Sequence, residues 1–440
     1  MTLSGLAFAY ARRRPLATAL VVALAAIGIA IATLTLIVTH ELDGRMARDA
    51  QGIDLVVGAK GSPLQLVLAG VYHADVPPGN IPYASLASLR ANPRVAGAIP
   101  LALGDSVHGY RIVGTEPALV DHYGATLAAG AMFEAPMQAV IGSDVARATG
   151  LTVGAAFAGT HGLAEGGGEH EAAPYKVVGV LAPTGRVVDR LVLTPVESVW
   201  GVHEAHHREA GGGAAAGAKA NGASRGQPQN GRGKPGNGSA TPGNAGPNDG
   251  GADAKHADDD RELTMILVRY RSPIAAASLP REINQSSALV AASPAYETAR
   301  LFTVFGVGLD LVRAFAAILV GASVLLLFVA LAQALEERRY DLAILRALGA
   351  RRRDVVWVLM AESVSLAAAG AVLGVVLGHV AAATIGSWLP AAAPLAGAAW
   401  RPVPAEGVVV ALALAGGILA ACWPAWRASR LDVAATLADT

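Results

Sequence analysis

The residues best suited to bind a metal ion lie in one polar stretch of the chain. Four histidines are candidate ligands: His203, His206, His207 and His256. Histidine is the commonest metal ligand, histidine-rich tracts can hold zinc or copper loosely, and the aspartates at 258–260 add oxygen donors. The stretch 203–262 contains no Val, Ile, Leu, Met, Phe, Trp or Tyr. A solvated low-complexity loop is therefore the simpler interpretation, and a weak zinc or copper site is the alternative hypothesis.

No motif for nucleotide hydrolysis is present. Gly233 and Lys234 are followed by Pro235, where a P-loop needs Ser or Thr, and no helix can begin there as that motif requires. No other Walker A pattern occurs in the sequence. The single cysteine, Cys422, excludes an intrachain disulfide and a Cys-rich metal site. We therefore expect no enzymatic activity of the chain itself and no cofactor, apart from the hypothetical zinc or copper.

Composition indicates a membrane protein. Of 440 residues, 53% are hydrophobic and only 15% are charged, whereas soluble domains carry roughly 25% charged residues. The 34 Lys+Arg residues balance 34 Asp+Glu residues, so the formal net charge is zero. These values argue against an ordinary cytosolic enzyme and against a nucleic-acid partner, which would be bound through excess positive charge.

Four stretches are long enough to cross a bilayer, since roughly 20 apolar residues span its hydrocarbon core. The apolar runs are 16–38, 314–335, 363–389 and 407–426, and none of them contains Lys, Arg, Asp or Glu. With flanking turns included, the predicted membrane helices are 16–38, 307–335, 355–389 and 407–426. The first run is too long for a secretory signal and no cleavage site follows it, so we interpret it as a retained anchor.

The distribution of arginines predicts the orientation. Arginines flank the membrane segments in 1–15, in 336–354 and in 427–440, whereas 390–406 holds only Arg401. Cytoplasmic loops carry the excess of Lys and Arg. Both termini and the loop 336–354 are therefore predicted to be cytoplasmic, and 390–406 to be an external loop. The large segment 39–306 would lie outside.

The external segment has the pattern of an α+β domain inserted between the first two membrane helices. Its predicted strands and helices are Ile53–Val57, Tyr110–Val113, Gln138–Ile141, Tyr175–Leu181, Arg190–Thr194 and Leu263–Tyr270 (strands), and Ser143–Thr149, Pro195–Val202 and Ile274–Ile283 (helices). The stretch 203–262 is predicted to be a disordered insertion in a surface loop, because it cannot bury enough apolar area to offset its ordering entropy. Ser293 and Pro294 predict a helix start that leads into the second membrane helix.

Two features of the third membrane segment could carry function or packing. Gly370, Gly374 and Gly378 form a ridge of small residues, which close helix packing explains better than a ligand. Glu362 is an intramembrane carboxylate, and such residues are functional candidates. Its position near the start of the segment favours a place at the headgroups or a bond to a neighbouring helix over a role in transport.

The loop 336–354 contains the most informative pattern. Leu342, Leu345 and Leu348 are spaced i, i+3 and i+6, which predicts one apolar stripe on a short helix. Gly349 is placed to end that helix, and Arg351–Arg353 follow it. An ordinary amphipathic juxtamembrane helix with arginines on the cytoplasmic side is the alternative.

The same segment resembles the cytoplasmic coupling loop of the FtsX-like permeases, which include the MacB-type and lipoprotein-releasing ABC transporters. Their pattern reads R-x-x-E-I-x-x-L-R-A-x-G-A, with Asp341 here in place of Glu and Ala343 in place of a frequent Gly. The matching residues are Arg338, Asp341, Leu342, Leu345, Arg346, Ala347, Gly349 and Ala350. The end of the chain, 424–432, resembles the closing P-A-x-x-A-x-R-x-D segment, with Val433 where Pro is usual. Residues 178–190, with Pro183-Thr184-Gly185 and Val188-Asp189-Arg190, resemble the MacB-like periplasmic core domain.

This resemblance implies a bacterial inner-membrane permease that works with a separate cytoplasmic ABC ATPase. It further implies a dimer, formed with a second copy or a paralogue. Arg338, Asp341, Leu342, Leu345, Arg346, Leu348 and Gly349 would then form the ATPase-coupling segment. Movement driven by ATP would act outside, on a lipoprotein, peptide, drug or periplasmic binding protein. A non-transporting signalling or scaffold protein that activates a periplasmic partner is the alternative function.

Overall fold

The computed structural model describes residues 15–161, 174–202, 261–337, 339–389 and 392–430. Within these residues the chain divides into two compact units. One, here called the inserted domain, comprises Met46–Leu301. The other, here called the helical unit, comprises the residues before and after it. The candidate metal ligands His203, His206, His207 and His256 lie outside the described residues.

Helices and strands are numbered in chain order. The helices are α1 Pro15–Ala50, α2 Pro63–Gly70, α3 Ala84–Ala91, α4 Ala118–Tyr123, α5 Ser143–Thr149, α6 Pro273–Ser286, α7 Pro294–Glu337, α8 Arg339–Ala347, α9 Arg352–Trp388, α10 Ala393–Ala398 and α11 Glu406–Ser429. The strands are β1 Leu55–Ala59, β2 Ile81–Pro82, β3 Val95–Val107, β4 Tyr110–Thr115, β5 Leu127–Gly130, β6 Gln138–Ile141, β7 Ala156–Phe157, β8 Thr160–His161, β9 Tyr175–Leu181, β10 Leu191–Pro195, β11 Glu262–Leu263, β12 Met265–Tyr270 and β13 Leu289–Ala292. Residues 196–202 are also helical.

Four helices in the described part of the chain are long and apolar enough to cross a membrane, namely α1, α7, α9 and α11. Three of the four predicted membrane segments fall within them, and the third, 355–389, ends one residue beyond α9. Two are longer than the apolar runs suggested: α1 continues to Ala50, and α7 begins at Pro294 and runs unbroken to Glu337. Ser293 and Pro294 therefore mark the start of a helix that continues into the second membrane segment, as their types predicted.

The helical unit is packed through small and branched side chains. Ile29 of α1 is fully buried beside Ala371 of α9 and Ala413 of α11. Nearer the start of α1, Val21 packs with Leu327 and Leu331 of α7. Large apolar residues on other faces are exposed, among them Leu311, Ile318, Leu325, Val372, Leu412 and Leu419. Such exposure suits helices whose outer faces meet lipid and whose inner faces allow close approach.

The short connection before α11 has a defined structure. Residues 393–398 form α10, so the segment predicted as a simple external loop contains one helical turn and a half-buried polar contact. His379 Nε2 of α9 lies 3.2 Å from Glu406 Oε2 at the start of α11. The other ring nitrogen of His379 contacts the carbonyl of Ala399, and the ring stacks on Trp400. These contacts hold the connection against α9.

The inserted domain is built on one mixed sheet. Its strand order is β13-β1-β12-β3-β4-β10-β6-β9-β5, with β7 paired to β9 and β8 paired to β3. The pairs β4–β10 and β6–β9 are parallel and the others are antiparallel. β3 is the long central strand: its first half pairs with β12 and its second half with β4.

Both faces of this sheet are covered. On β12, Met265 and Leu267 belong to one buried cluster, whereas Ile266 and Val268 belong to another. Successive residues of a strand point to opposite faces, so an unbroken apolar run is expected where both faces are buried. The mixed α and β composition confirms the predicted α+β domain between the first two membrane helices.

Candidate functional site

The segment between α7 and α9 forms a short helix, as its pattern predicted. α8 spans Arg339–Ala347. The N–H of Leu348 donates to the carbonyl of Ile344 at 2.9 Å, and the N–H of Gly349 donates to the carbonyl of Arg346 at 3.1 Å. Gly349 has φ of 101°, a left-handed conformation that glycine adopts without a steric penalty. Glycine therefore ends α8 at the position the sequence indicated.

One face of α8 is buried inside the helical unit. Leu342 is 5% exposed and Ala343 is fully buried. Leu342 packs in a cluster with Leu335 at the end of α7, Leu359 of α9 and Ala425 of α11. The burial of Leu342 therefore fixes α8 against three membrane helices.

The opposite face of α8 is apolar and open. Tyr340 is 46%, Ile344 is 37% and Leu348 is 81% exposed. These three residues, here called the open face of α8, are spaced by four, which keeps them on one side of the helix. The described residues of this chain leave this face uncovered.

The predicted stripe of Leu342, Leu345 and Leu348 needs correction. Leu342 is buried and Leu348 is exposed, so these two leucines do not share a face. Six residues at 3.6 per turn place them about 120° apart around the helix axis. Arg338 lies outside the described residues, as do the side chains of Asp341 and Leu345.

Ion pairs lie at the start of α8, and a capping hydrogen bond lies at the start of α9. Glu336 Oε2 lies 2.9 Å from Arg339 Nε, and Glu336 Oε1 lies 3.2 Å from Arg427 Nη1 of α11. At the start of α9, the N–H of Arg351 donates to Asp354 Oδ2 at 2.8 Å. All of these groups are substantially exposed, and exposed pairs contribute about 0–1 kcal/mol. These contacts therefore contribute little to stability, and their main effect is on the orientation of α8 and α9.

The glycine ridge of α9 faces α1. A Cβ built at Gly370 would lie 2.8 Å from Ala25 Cβ, and one at Gly378 would lie 2.7 Å from Thr33 Cβ. Glu362, about two turns before this ridge begins, is 5% exposed, so it lies inside the helical unit instead of facing lipid. Beside it, Ser363 Oγ donates to the carbonyl of Gly417 at 2.6 Å. Close backbone approach and polar contacts thus join α9 to α1 and α11.

The end of α1 inside the inserted domain is bonded to one turn of that domain. Asp49 Oδ1 accepts from the N–H of Val187 at 2.8 Å. Gln51 Oε1 accepts from Arg186 Nη2 at 3.1 Å. Asp49 is buried, so its hydrogen bond is shielded from water. We call this set of contacts the α1 joint.

The turn that bonds to the end of α1 is residues 183–190. These residues belong to the segment that resembles the MacB-like periplasmic core domain. The buried Asp189 accepts from the N–H of Thr184 at 2.9 Å, from Thr184 Oγ1 at 2.9 Å and from the N–H of Gly185 at 2.7 Å. Gly185 has φ of 70°. The Thr-Gly and Asp residues of the motif therefore fold one rigid turn, which presents the N–H of Val187 to Asp49.

Tyr72 bridges the two long helices within the inserted domain. Its Oη lies 2.8 Å from Thr298 Oγ1, near the start of α7, and 3.4 Å from the carbonyl of Met46, near the end of α1. Burial raises the pKa of the Tyr72 hydroxyl above its usual value of 10. A lone tyrosine after a short helix carries no motif, so the sequence offered no signal for this contact.

No metal site emerges in the described ranges. Among residues 15–161, 174–202, 261–337, 339–389 and 392–430, no group of three His, Cys, Asp or Glu side chains is arranged to hold an ion. The zinc or copper hypothesis rests on histidines outside those ranges and stays a prediction.

Two family models match the chain. The model of the FtsX-like permease C-terminal region matches residues 313–433. The model of the MacB-like periplasmic core domain matches residues 18–285, which is more than half of the chain. The chain belongs to the FtsX-like permeases with a MacB-like periplasmic core domain. The resemblance drawn from the coupling segment and from 178–190 is thereby confirmed.

Solved structures with the same kind of domain are only distantly similar. The periplasmic region of MacB from Actinobacillus actinomycetemcomitans is 11% identical, with a TM-score of 0.32, over 58% of this chain and 95% of that one. The extracellular domain of the noncanonic ABC-type transporter YknZ from Gram-positive bacteria is 12% identical, with a TM-score of 0.27, over 54% of this chain and 98% of that one. No curated protein sequence matches the chain significantly.

In this FtsX-like permease, the features described above are divided between the two family regions. α8, its open face and Gly349 lie in the FtsX-like region. The turn at 183–190, Asp49 and Tyr72 lie in the MacB-like core domain. α1 and α7 each contain residues of both units.

Proposed function

We propose that this FtsX-like permease transmits movement from a separate cytoplasmic ABC ATPase to its MacB-like core domain. The ATPase binds the open face of α8, and its cycle shifts the membrane helices packed on Leu342. α1 and α7 carry that shift to the core domain, which acts on a lipoprotein, peptide, drug or periplasmic partner.

The open face of α8 is the observation that supports this proposal most. Its buried side locks onto α7, α9 and α11 through Leu342, so a push on α8 acts on all three helices. Tyr340, Ile344 and Leu348 remain exposed, and an apolar helix face of this kind can seat in a groove of a soluble partner. Arg346 and the arginines at 351–353 flank that face and suit charged groups on the rim of such a groove.

The continuity of α1 and α7 supports the second half of the proposal. A helix without a break moves as a rod over its length, so displacement at one end reaches the other. Asp49 and Tyr72 attach the ends of these helices to the core domain by hydrogen bonds, of which that of Asp49 is buried and that of Tyr72 is half-buried. Such attachments would convert helix movement into movement of the turn at 183–190.

The arginine distribution supports the orientation. Both termini and α8 would be in the cytoplasm of a bacterial cell and the core domain outside its inner membrane. Two copies of this chain, or this chain and a paralogue, would assemble with two ATPase subunits. The coupling assignment extends to Arg338, Asp341 and Leu345, which share the segment with the open face.

The test is a double substitution on the open face, Ile344→Asp with Leu348→Asp. Two carboxylates in an apolar groove would cost several kcal/mol if the contact excludes water. Both positions are exposed in the chain itself, so the permease should insert and retain its melting temperature. We expect co-purification of the ATPase, and ATP turnover linked to the permease, to be lost.

Ile274→Asp is the matched control. Ile274 is 79% exposed at the start of α6 in the core domain, so this variant also replaces an exposed apolar side chain by a carboxylate, but away from α8. ATPase binding should be unchanged in this variant. Normal ATPase association in the double variant would contradict the coupling assignment and favour the signalling or scaffold alternative.

A further inference from the structure

A cleft opens on the core domain away from the candidate coupling site. Its volume is about 510 Å³, within the range of roughly 300–1,000 Å³ typical of small-molecule sites. The ends of β3 and β12 form its floor, and α3, α4 and the turn after α1 form its walls. The residues that decide its chemistry are Arg90, Gly97, Glu116, Asp121, His122, Arg269 and Arg271.

The floor of the cleft is apolar and left open by a glycine. Gly97 of β3 pairs with Arg269 of β12, and the next pair inward on the same face is Ile99 with Leu267. A Cβ built at Gly97 would meet nothing within 4 Å. A side chain would therefore fit at position 97. Because glycine has none, the space above the floor of the cleft is open.

The three arginines of the cleft differ in how they are bound. Arg90 is occupied: its guanidinium donates to the carbonyl of Ala98 and lies 2.6 Å from Glu116 Oε2. Arg271 Nη2 donates to the carbonyl of Val95 at 3.0 Å, which positions it at the rim. In the part of the chain that the structure describes, no carboxylate lies within ion-pair distance of Arg269, whose side chain is exposed. Arg269 is therefore available to an anionic ligand.

His122 adds a neutral polar group to the wall. Its Nε2 is buried and, among the described residues, has no hydrogen-bond partner. Burial lowers the pKa of His122, and the charges of Arg186 and Arg269 lower it further, so the ring is neutral at neutral pH. A Cβ built at Gly52 would lie 3.0 Å from His122 Cε1, which shows how closely the ring is held against the turn after α1.

We propose that this cleft binds a small carboxylate-bearing molecule with an apolar body, about the size of an acylated amino acid or a dipeptide. Arg269 pairs with the carboxylate, the neutral ring of His122 lines the wall, and the apolar body covers Ile99 and Leu267. A planar guanidinium matches a carboxylate in a bidentate geometry. Asp121 on the wall disfavours a second negative charge. Binding here does not depend on the permease transmitting movement.

The test uses the full-length permease in lipid nanodiscs and two probes with the same body. N-acetyl-leucine carries the carboxylate, and N-acetyl-leucine amide lacks the charge. Ligand-observed saturation-transfer NMR should show saturable binding of the acid and at least about tenfold weaker binding of the amide, because the charge-assisted hydrogen bonds are lost.

Two substitutions locate the binding. Arg269→Ala should weaken binding of the acid about tenfold, and Gly97→Leu should abolish it by filling the floor. Arg281→Ala, which removes an exposed arginine of α6 outside the cleft, should leave the affinity unchanged. Melting temperatures confirm that each variant is folded.

Three results would overturn the proposal. They are equal binding of acid and amide, unchanged affinity in both Arg269→Ala and Gly97→Leu, and no saturable binding of the acid up to about 10 mM, which is weaker than specific sites usually bind. Each result is independent of ATPase association, so failure of the cleft leaves the coupling proposal standing.

Discussion

Gly374 of α9 lies directly against Ile29 of α1: a Cβ built at Gly374 would come within 2.6 Å of Ile29 Cβ and 2.8 Å of the Ala26 carbonyl oxygen. Real Cβ atoms do not approach other atoms so closely, and one of the contacts is backbone. The two membrane helices touch because position 374 has no side chain. Gly370 and Gly378, one turn to each side, make the same contact with Ala25 and Thr33.

Gly374→Val should therefore destabilise the helical unit. The added side chain forces α9 away from α1, and overpacking of this kind costs about 1–3 kcal/mol. The melting temperature in detergent should fall accordingly. Gly321→Val on α7 is the control, since a Cβ there meets nothing within 4 Å. Equal melting temperatures for the two variants would show that the close approach does not stabilise the unit.

Asp189→Ala should destabilise the core domain. It removes the buried carboxylate that accepts from the N–H groups of Thr184 and Gly185, and hydrogen bonds to a charged group contribute about 1.5–3 kcal/mol each. Asp144→Ala, which removes a carboxylate that pairs with the exposed Arg147, should change stability little. Thermal unfolding of both variants measures the difference, and similar unfolding midpoints would count against a structural role for the motif at 183–190.

The stability of the core domain should fall as the pH drops below 6.5. Burial lowers the pKa of His73 from 6.5 to about 3, and the charges of Arg111 and Arg190 contribute to the shift. Because the folded pKa lies below the unfolded one, only the unfolded state takes up a proton between these values. The contribution of the neutral ring is complete above pH 6.5 and is lost as the pH falls toward 3.

His73→Asn tests this pH dependence. His73 has φ of 51°, a conformation that asparagine tolerates better than most residues. The unfolding midpoint of this variant should vary less between pH 6.5 and 5, above the range in which ordinary carboxylates titrate. An identical pH profile in the wild type and the variant would exclude His73 as a source of the effect.

Much of the helical unit could be predicted from the sequence, because a helix that crosses the bilayer needs roughly 20 apolar residues. The apolar runs located α1, α7, α9 and α11, and Gly349 fixed the end of α8. The predicted stripe was wrong for a physical reason: spacing by three shows that residues are near one another on a helix, but only packing decides which face is buried. Leu342 meets Leu335 and Ala425, and no property of the α8 sequence alone specifies those partners.

In the core domain, strands with apolar β-branched runs were predicted best. Gln138–Ile141 and Tyr175–Leu181 have the bounds that the sequence indicated. The central strand β3 was missed because Gly97, Pro100 and Gly104 break its pattern. Its pairing with β12 and β4 outweighs its weak intrinsic preference, since strand propensity depends strongly on context. Tyr72 and Asp49 act through residues distant in sequence, so periodicity could not identify them.

Deletion of 205–256 should leave folding intact, because this stretch holds no large apolar side chain. The deleted permease should insert and melt within a few degrees of the wild type, and a large loss of stability would show that the segment packs. Zinc and copper binding by the two proteins should be compared by calorimetry. Binding that disappears with the deletion supports a site that needs His206, His207 or His256, which the deletion removes, whereas His203 remains. Absence of binding by the wild type eliminates the hypothesis.

The central claim is that movement begun at α8 reaches the turn at 183–190. Hydrogen–deuterium exchange of the permease–ATPase complex tests it at the amides of Thr184, Gly185 and Val187, which donate to Asp189 and Asp49. Their exchange rates should differ between the nucleotide-free and ATP-bound complexes of the wild type. For permease carrying Ile344→Asp and Leu348→Asp, which should not bind the ATPase, the rates should be the same with and without ATP when the ATPase is added. Identical rates at these amides in the wild-type complex with and without ATP, while the complex still hydrolyses ATP, would contradict the account.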